Sequence, residues 1–486
     1  MTVSTARRAA RGGLITLAGQ AAKLALLLLN LVVLGRLLTP LDFGLVAMVT
    51  AVVGVAELVR DFGITTASIQ VKYLSRSQKN NLFWTNVTLG LLLAGAAALL
   101  SQPLAAFYGD ARLQAITLAF SGIFILNGVQ AQYQVELTRL LRFKTLTITD
   151  VASNATGLCI AVITAMLGAG YWSLIFMQLS TAAFLLLSRV TFTKWIPGLP
   201  DRQGSITDFL RYGGNLGFAQ FVNYLSANAP SVLIGYAFGP GALGAYSRAS
   251  QIASLPVNQV FGPLTNVALT TLVPLLDRRK FNRAIRVMQL LLGYVASIGF
   301  SFAIVFAPNI VKLLLGDQWS SASPLLQILA VGTTFQATTY VSYWVFLATS
   351  RTASLLRYNL VTKGIVLTLT IIGTIWGAHG MVWGYSVGLI TSWPISLLWM
   401  RTLGVPIEAL LYGGIRFIGV GAAGATAGLL APRIFVSIDP LGASALGWAL
   451  GLSLALAFPQ VRADLRLTTR TLKNIRQSKT NLGGPK

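Results

Sequence analysis

Charged residues are scarce in this chain. They make up 10% of its 486 residues, and only 13 residues are Asp or Glu. A soluble domain carries about 25% charged residues, so the composition excludes a soluble globular protein. Because 55% of the residues are hydrophobic and the mean hydropathy is +0.70, we predict an integral membrane protein.

Cysteine and histidine occur once each, as Cys159 and His379. A single cysteine excludes an intramolecular disulfide, a CxxC metal site and a redox pair. A lone histidine in a short predicted turn argues against a metal site or a catalytic triad. The chain also lacks the Walker phosphate-loop motif and any kinase-like signature, so ATP is not expected to drive it directly. We therefore expect no catalytic residues, no metal, no cofactor and no enzymatic activity.

Long apolar runs separated by short loops fill most of the chain. Crossing a hydrocarbon core of ~30 Å takes about 20 helical residues, and the runs are too long for barrel strands. The predicted fold class is all-α integral membrane, with about fourteen transmembrane helices. The runs lie near residues 14–38, 43–69, 82–101, 113–133, 148–168, 170–188, 212–238, 242–276, 287–307, 324–347, 359–376, 381–400, 415–431 and 441–458.

Positive charge is distributed unevenly between the loops. If the N-terminus is cytoplasmic, only four of the 37 Lys and Arg residues fall on the outer side, three lie within helices, and the others fall on inner segments. This positive-inside pattern predicts that both termini are cytoplasmic. No soluble domain presents the net charge of +24, so we expect no nucleic-acid partner. The four outer residues are Arg36, Arg112, Lys312 and Arg433.

An outer turn containing glycine and proline recurs at a shift of 200 residues, and a second glycine-rich turn at residues 168–170 corresponds to residues 377–380. Six helices plus six that enter from the same side imply parallel repeats with a binding cleft between them. We predict two six-helix lobes, two extra transmembrane helices and a basic cytoplasmic tail, at residues 1–200, 201–403, 404–460 and 461–486. We expect the recurring turns to cap the outer rim of the cleft and act as gates. Their residues are Pro40, Gly44, Pro240 and Gly244, with Gly35 and Gly235 beside them.

Charged side chains inside the apolar runs are the main site candidates. A charge at mid-bilayer costs at least roughly 2.5 to 3.5 kcal/mol, so it usually faces a bundle interior or a watery cavity. We predict that Lys23, Arg60 and Arg248 face one cleft and bind an anionic cargo. Glu57 and Asp61 are predicted to be the only acids well inside a helix, as ion-pair or coupling residues. Alternatively, these two acids and Arg60 only neutralise one another and lock two helices together.

A polar stripe on the predicted eighth helix places Gln251 and Asn258 at helical spacing from Arg248. Amides pair with hydroxyls and a guanidinium matches phosphate oxygens, so the stripe suits a hydroxyl-rich ligand with a phosphate at one end. The alternative for part of the stripe is interhelical packing, worth about 0.6 kcal/mol per hydrogen bond. Further substrate-binding candidates are Asn215, Gln220 and Asn223 on the predicted seventh helix, followed by Asn228, Asn266, Gln20 and Asn30.

The basic tail after Val461 contains apolar residues that we predict to share one helical face. Such a helix lies on anionic lipid headgroups, and a solvated, frayed tail is the alternative. The residues of the predicted face are Val461, Leu465, Leu472 and Ile475.

Residues 34–70 read LGRLLTPLDFGLVAMVTAVVGVAELVRDFGITTASIQ, and residues 81–86, 107–110, 142–144 and 170–174 read NLFWTN, FYGD, RFK and GYWSL. In these stretches the chain resembles the bacterial polysaccharide exporters of the Wzx flippase type. It is similar to the branch with a colanic-acid-type member rather than to drug antiporters. The superfamily also holds the MATE antiporters and the lipid II flippase. The family pattern has twelve core helices, and the two predicted after Gly414 are extra, as in the lipid II flippase.

The resemblance implies a carrier that moves oligosaccharide repeat units linked to undecaprenyl pyrophosphate from the inner to the outer leaflet by alternating access, for exopolysaccharide or lipopolysaccharide synthesis. We expect the bacterial inner membrane as its location. The expected partners are the polyprenyl-linked oligosaccharide, anionic lipids, a polysaccharide polymerase and glycosyltransferases. The alternatives are a cation-coupled small-molecule antiporter that uses Glu57 and Asp61, a membrane enzyme acting on polyprenyl-linked sugars, and a scaffold for such enzymes.

Overall fold

A computed structural model describes the backbone of residues 3–60, 68, 74–201, 207–275 and 277–481, and within these ranges all regular structure is helical. Of the side chains there, those of residues 3–17, 56, 58–60, 207–223, 226, 352 and 471–481 are not described. The helices are α1 Val3–Leu37, α2 Pro40–Arg60, α3 Arg76–Tyr108, α4 Arg112–Arg139, α5 Phe143–Met166, α6 Trp172–Thr193, α7 Thr207–Pro256, α8 Gly262–Leu272, α9 Arg278–Leu314, α10 Ala322–Ala348, α11 Thr352–Gly373, α12 Gly377–Arg401, α13 Ile407–Ile434, α14 Pro440–Leu456 and α15 Pro459–Asn481.

Most apolar runs predicted from the sequence coincide with one helix each, but the run at 43–69 is described as a continuous helix only to Arg60, and the runs at 212–238 and 242–276 share α7, the second continuing through a π-helical turn into α8. Several helices, such as α3 and α9, extend past their runs because the backbone hydrogen-bond ladder continues through polar residues. Eight segments of the described part are long and apolar enough to cross a membrane, and the bent pair α14 and α15 forms a ninth if counted as one span. The chain is therefore a multi-pass, all-α membrane protein, and the number fourteen stays a prediction.

Contacts divide the chain into two compact units. The first unit contains Met1–Ser247 and Leu313–Trp319, and the second contains Arg248–Lys312 and Ser320–Lys486. The boundary within α7 therefore lies between Ser247 and Arg248, whereas the predicted lobes, which stay a prediction, divide near residue 200.

In the first unit, α3 packs along α4, α5 along α6, and α1 against α5. Glycines allow the closest of these approaches. A Cβ added at Gly90 of α3 would lie 3.2 Å from Cα of Gly128 on α4. A Cβ added at Gly128 would likewise lie 3.2 Å from Cα of Gly90. Small residues at such crossings let two helix backbones approach each other in a membrane.

The segment Leu313–Trp319 covers the C-terminal end of α1. The side chains of Gln318 and Trp319 donate hydrogen bonds of 2.9 and 2.7 Å to the carbonyl of Gly35. Gln318 also donates to the carbonyl of Leu38, at 2.9 Å. The last carbonyls of a helix have no partner within the helix, so these contacts satisfy groups that would otherwise need water.

In the second unit, α11 packs along α12, α10 against α12, and α13 along α14. The α13–α14 contact is again made by small residues. A Cβ at Gly451 would meet the backbone of Ala423, and one at Gly447 the backbone of Ala427. The chain then turns by 82° between α14 and α15, as expected where a spanning helix is followed by a helix that lies along the membrane surface.

The tail helix α15 packs against the second unit through a face that includes an acidic residue. Val461, Asp464 and Thr468 are buried, whereas Leu465 is exposed. An exposed Leu465 can face lipid, so the contact of this face with headgroups stays a prediction, and the side chains of Leu472 and Ile475 lie outside the described part of the chain. Asp464 lies on the buried face of α15 together with Val461 and Thr468. An apolar pattern in the sequence cannot indicate a buried acid.

One of the four predicted outer cations is neutralised locally. Arg112 at the start of α4 donates hydrogen bonds of 3.0 and 2.7 Å to Asp110 in the preceding turn. This contact lowers the pKa of the Asp110 carboxyl, because an adjacent guanidinium favours the charged carboxylate. The pair reduces the net positive charge on that side of the helices.

Candidate functional site

The first unit contains an ionic network inside its helices. Nζ of Lys23 on α1 lies 2.5 Å from Oδ2 of Asp150 on α5, and Nη2 of Arg189 on α6 lies 2.7 Å from the other oxygen of the same carboxylate. Arg189 also donates to Gln130, and to Gln134 at 2.9 Å. One carboxylate between two cations leaves a net charge of about +1 inside the helices.

The members of this network differ in exposure. The side chain of Arg189 is 4% exposed, whereas that of Lys23 is 36% exposed. Nε of Arg189 is buried and has no hydrogen-bond partner among the described residues. The interior end of the network therefore holds the helices together, while the Lys23 end is accessible to an anion.

Glu57 on α2 lies at a small cavity of about 170 Å³ in the first unit. Its carboxylate accepts a long hydrogen bond of 3.5 Å from Asn127 on α4. Tyr224 on α7 lines the same cavity and donates a 2.7 Å hydrogen bond to the carbonyl of Thr50. An exposed carboxylate at a cavity suits a proton or a cation, as expected for a coupling residue.

The two recurring turns contact each other within the first unit. A Cβ added at Gly44 would collide with the backbone of Pro240, and one added at Gly244 would collide with the backbone of Pro40. This reciprocal exchange is the contact pattern of a local two-fold relation. In the second turn, Gly239 takes a φ of 79° and bends α7, a conformation that glycine adopts without a Cβ penalty.

Gly44→Ala is expected to lower the free energy of unfolding by about 1 to 3 kcal/mol, the usual cost of forcing an extra methyl group into a packed contact. The neighbouring atoms belong to the backbone of Pro240, so no side chain can rotate away. The measurement is thermal unfolding of the purified protein in detergent. The matched control is Gly241→Ala, because nothing lies within 4 Å of a Cβ there. Equal unfolding temperatures for the two variants would show that the turns do not pack tightly.

The polar stripe of the second half is interrupted by a π-helical turn at Val257–Phe261. Arg248 is half-buried before this turn, and Asn258 is exposed within it. Oε1 of Gln251 is buried and has no hydrogen-bond partner among the described residues. The prediction of one continuous helix with regular spacing is therefore wrong, since the wide turn shifts the residues that follow it. Single π turns occur frequently at functional sites.

The second unit contains an open cavity of about 560 Å³ between α8, α10, α11 and α12, a size typical of ligand sites. Lys363 lies halfway along α11, where a charge must face a protein interior or water. The cavity also carries hydroxyl, amide and aromatic side chains. They include Thr265, Gln336, Thr339, Tyr340, Tyr343, Tyr358, Asn359, Thr362 and Ser392.

The structure does not bring all predicted site residues together. Lys23 lies in the first unit and Arg248 in the second, so their convergence stays a prediction. Asn30 donates to Sδ of Met177 at 3.0 Å, and Asn228 donates to a carbonyl of its own helix. Gln20 and Asn266 are exposed. Asp61 and the side chains of Arg60, Asn215, Gln220 and Asn223 lie outside the described part of the chain.

Several charged residues inside helices were missed by the sequence analysis. The prediction that Glu57 and Asp61 are the only acids well inside a helix is wrong, because Asp150 is the eighth residue of α5. Lys363 lies within a predicted apolar run, so its position alone could have identified it. The partners of Asp150 are far away in the chain and gave no local signal.

Comparison with known proteins identifies relatives of this arrangement. The family model described as polysaccharide biosynthesis protein matches residues 33–324, more than half of the chain. The lipopolysaccharide biosynthesis protein WzxC of Escherichia coli (strain K12) is 25% identical over 63% of this chain and 62% of its own length. The succinoglycan biosynthesis transport protein ExoT of Rhizobium meliloti (strain 1021) is 26% identical over 64% of each chain. The match thus spans less than two thirds of either relative. The resemblance to polysaccharide exporters is confirmed.

Solved structures share the fold. The lipid II flippase MurJ in an inward closed conformation has a TM-score of 0.67, covering 92% of this chain and 98% of its own, at 14% identity. An inward-facing multidrug resistance MATE family transporter of the MOP superfamily has a TM-score of 0.60, covering 81% of this chain and 96% of its own, at 13% identity. The predicted MATE-like, all-α membrane fold class is confirmed, and at these identities the likeness concerns the fold alone.

Proposed function

Because this chain belongs to the polysaccharide biosynthesis protein family, we propose that it is a flippase for lipid-linked oligosaccharides. It moves repeat units carried on undecaprenyl pyrophosphate from the cytoplasmic to the outer leaflet of the bacterial inner membrane, for exopolysaccharide or lipopolysaccharide synthesis. Transport proceeds by alternating access of two six-helix lobes, residues 1–200 and 201–403. Both termini are cytoplasmic, and a polymerase and glycosyltransferases act beside it.

The observation that carries this proposal is the open cavity of the second unit. Sugars expose hydroxyls and apolar ring faces. The cavity offers amides such as Gln336 and Asn359 to bind the hydroxyls. It offers tyrosine rings such as Tyr340 and Tyr343 to pack against the ring faces. Its volume of about 560 Å³ is within the range of sites that enclose small ligands. Lys363 adds one cation for an acidic substituent on the sugar.

The network of the first unit supports the same assignment. A pyrophosphate is recognised by charge-assisted hydrogen bonds from lysine and arginine. Lys23 offers the accessible cation, Asp150 holds it in position, and Arg189 fixes the Asp150 carboxylate. Arg60 and Arg248 are the other cations that we assign to the pyrophosphate, with Pro40, Gly44, Pro240 and Gly244 as gating turns.

The test is transport in proteoliposomes that contain polyprenyl-pyrophosphate-linked oligosaccharide with a radiolabelled sugar. The protein should speed movement of the label into the leaflet that an impermeant glycosidase reaches, compared with vesicles holding an unrelated membrane protein. No acceleration would contradict the proposal. A change in the covalent structure of the lipid-linked sugar would indicate an enzyme instead. Drug efflux driven by a cation gradient and abolished by Glu57→Gln would indicate the antiporter, the function that the Glu57 cavity favours.

Lys363→Met is expected to reduce the transport rate roughly tenfold or more. The change removes one charge-assisted hydrogen bond worth about 1.5 to 3 kcal/mol, and each 1.36 kcal/mol corresponds to about tenfold. The matched control is Arg357→Met, because Arg357 is exposed on the same helix and does not line the cavity. Equal transport by the two variants would remove Lys363 from the site. Unfolding temperatures measured in parallel separate a binding defect from misfolding.

A further inference from the structure

A second binding groove lies in the second unit between α9, α13 and α15. It has a volume of about 300 Å³. One wall is polar and comes from α9, which contributes Asn282, Arg283 and Arg286. The opposite wall is apolar. Its residues are Val405, Pro406, Ala409, Leu410 and Leu467.

Two polar atoms of this groove are buried and have no hydrogen-bond partner among the described residues. They are Oδ1 of Asn282, an acceptor, and Nε of Arg286, a donor. Residues four apart lie on the same face of a helix, so both atoms belong to one side of α9. A buried polar group without a hydrogen-bond partner destabilises the fold, because it has lost its bonds to water. A ligand that accepts at Arg286 and donates at Asn282 would remove that destabilisation.

The groove carries net positive charge. Nη2 of Arg286 lies 3.6 Å from Asp464, and this carboxylate already accepts hydrogen bonds of 2.6 and 3.0 Å from Arg416. Asp464 is therefore shared between two arginines. Arg283 is exposed and adds another charge. The groove thus favours an anion.

The position of the groove along α9 identifies the kind of anion. The first nine residues of α9 contain five Lys or Arg, and a long apolar stretch begins directly after Arg286. That transition marks the depth where lipid headgroups meet the hydrocarbon core. The adjacent helix α15 follows the 82° bend after α14, as expected for a helix at the same interface.

We propose that this groove binds the headgroup of a phosphatidylglycerol molecule. The phosphate accepts hydrogen bonds from Arg283 and Arg286, and a glycerol hydroxyl donates to Oδ1 of Asn282. The apolar wall around Leu410 contacts the first acyl carbons. A volume of about 300 Å³ holds such a headgroup, whereas a pyrophosphate carrying several sugars is too large for it. The inference does not depend on the proposed function.

The test is a titration of the purified full-length protein with short-chain phosphatidylglycerol, with binding followed by native mass spectrometry and by thermal unfolding. Arg283→Gln combined with Arg286→Gln is expected to weaken binding roughly tenfold or more, since it removes the two charge-assisted hydrogen bonds to the phosphate. The charge-matched control is Arg279→Gln with Lys280→Gln, which removes two cations from the same helix outside the groove. This control should bind as the unchanged protein does.

A second variant leaves every charge in place. Ala409→Phe fills the groove from its apolar wall and should lose phosphatidylglycerol binding while Arg283 and Arg286 remain. Phosphatidylcholine should not compete, because its headgroup has no net charge and no hydroxyl. If the Arg279→Gln and Lys280→Gln control loses phosphatidylglycerol binding equally, the site is overturned, since binding would then reflect only nonspecific attraction of the lipid to positive charge. Binding of polyprenyl phosphate without binding of phosphatidylglycerol would overturn the assigned lipid.

Discussion

Replacing Asp150 with asparagine is expected to destabilise the protein by about 3 kcal/mol, toward the lower end of the cost of breaking a buried ion pair. The side chain of Arg189 is 4% exposed and lies 2.7 Å from the Asp150 carboxylate. Without that carboxylate, the guanidinium keeps only Gln130 and Gln134 as side-chain hydrogen-bond partners among the described residues. The measurement is the unfolding temperature of the purified protein in detergent, which should fall by several degrees.

Two companion variants separate stability from transport. Lys23→Met removes the more exposed cation and leaves the Asp150–Arg189 pair intact, so it should unfold nearly as the unchanged protein does but transport poorly. Asp150→Asn combined with Arg189→Gln removes both charges of the pair and should recover most of the lost stability. If the double variant is as unstable as Asp150→Asn, the loss does not come from an uncompensated arginine. If Lys23→Met transports normally, the network has only a structural role.

The positions of helices could be predicted from the sequence, but their ends could not. Apolar runs show where the hydrocarbon core is crossed, whereas a helix continues as long as its backbone groups find partners. The run predicted to begin at residue 148 belongs to a helix that begins at Phe143, and the run predicted to end at residue 188 belongs to one that ends at Thr193. Asp150 therefore fell near the start of one predicted run and Arg189 just past the end of the next, so neither was recognised as a charge in the interior of a helix.

The recurring turns could be recognised because glycine and proline have special backbone requirements. A proline can begin a helix, and a glycine permits close backbone approach. Both requirements can therefore be recognised in the amino-acid sequence. The contact between Gly44 and the Pro240 backbone could not be predicted, because a sequence repeat shows that two turns are alike but does not show that they meet.

Ion pairs between helices that are far apart in the chain cannot be recognised in the amino-acid sequence. Lys23 and Asp150 are separated by 127 residues, and Arg416 and Asp464 by 48. Each side chain alone resembles an isolated charge in or beside an apolar run, so the sequence predicted that Lys23 faces a cleft but did not identify Asp150 as its partner. The structure supplies those partners within each unit. The same reasoning explains why the burial of Asp464 on the tail helix was not predicted, since its partner is an arginine 48 residues away.

Asp464→Ala is expected to detach the tail helix α15 and to destabilise the second unit by about 3 to 5 kcal/mol. The side chain of Asp464 is 3% exposed. It accepts two hydrogen bonds from Arg416 and one of 3.3 Å from the Tyr294 hydroxyl. Without the acid, the partly buried guanidinium of Arg416 has no counter-charge there. The measurement is maleimide labelling of a cysteine placed at Thr468, which is buried, in a Cys159→Ser background.

Labelling at position 468 should be slow with Asp464 present and many times faster in Asp464→Ala. Glu408→Ala is the matched control, because Glu408 is an exposed acid in the first turn of α13, and it should leave labelling slow. Arg416→Met added to Asp464→Ala should restore part of the stability, since it removes the unpaired buried charge. Slow labelling in Asp464→Ala itself would show that Val461 and Leu467 hold the helix by apolar contacts alone. In that case the buried acid would serve only to neutralise Arg416, and the tail would stay docked without it.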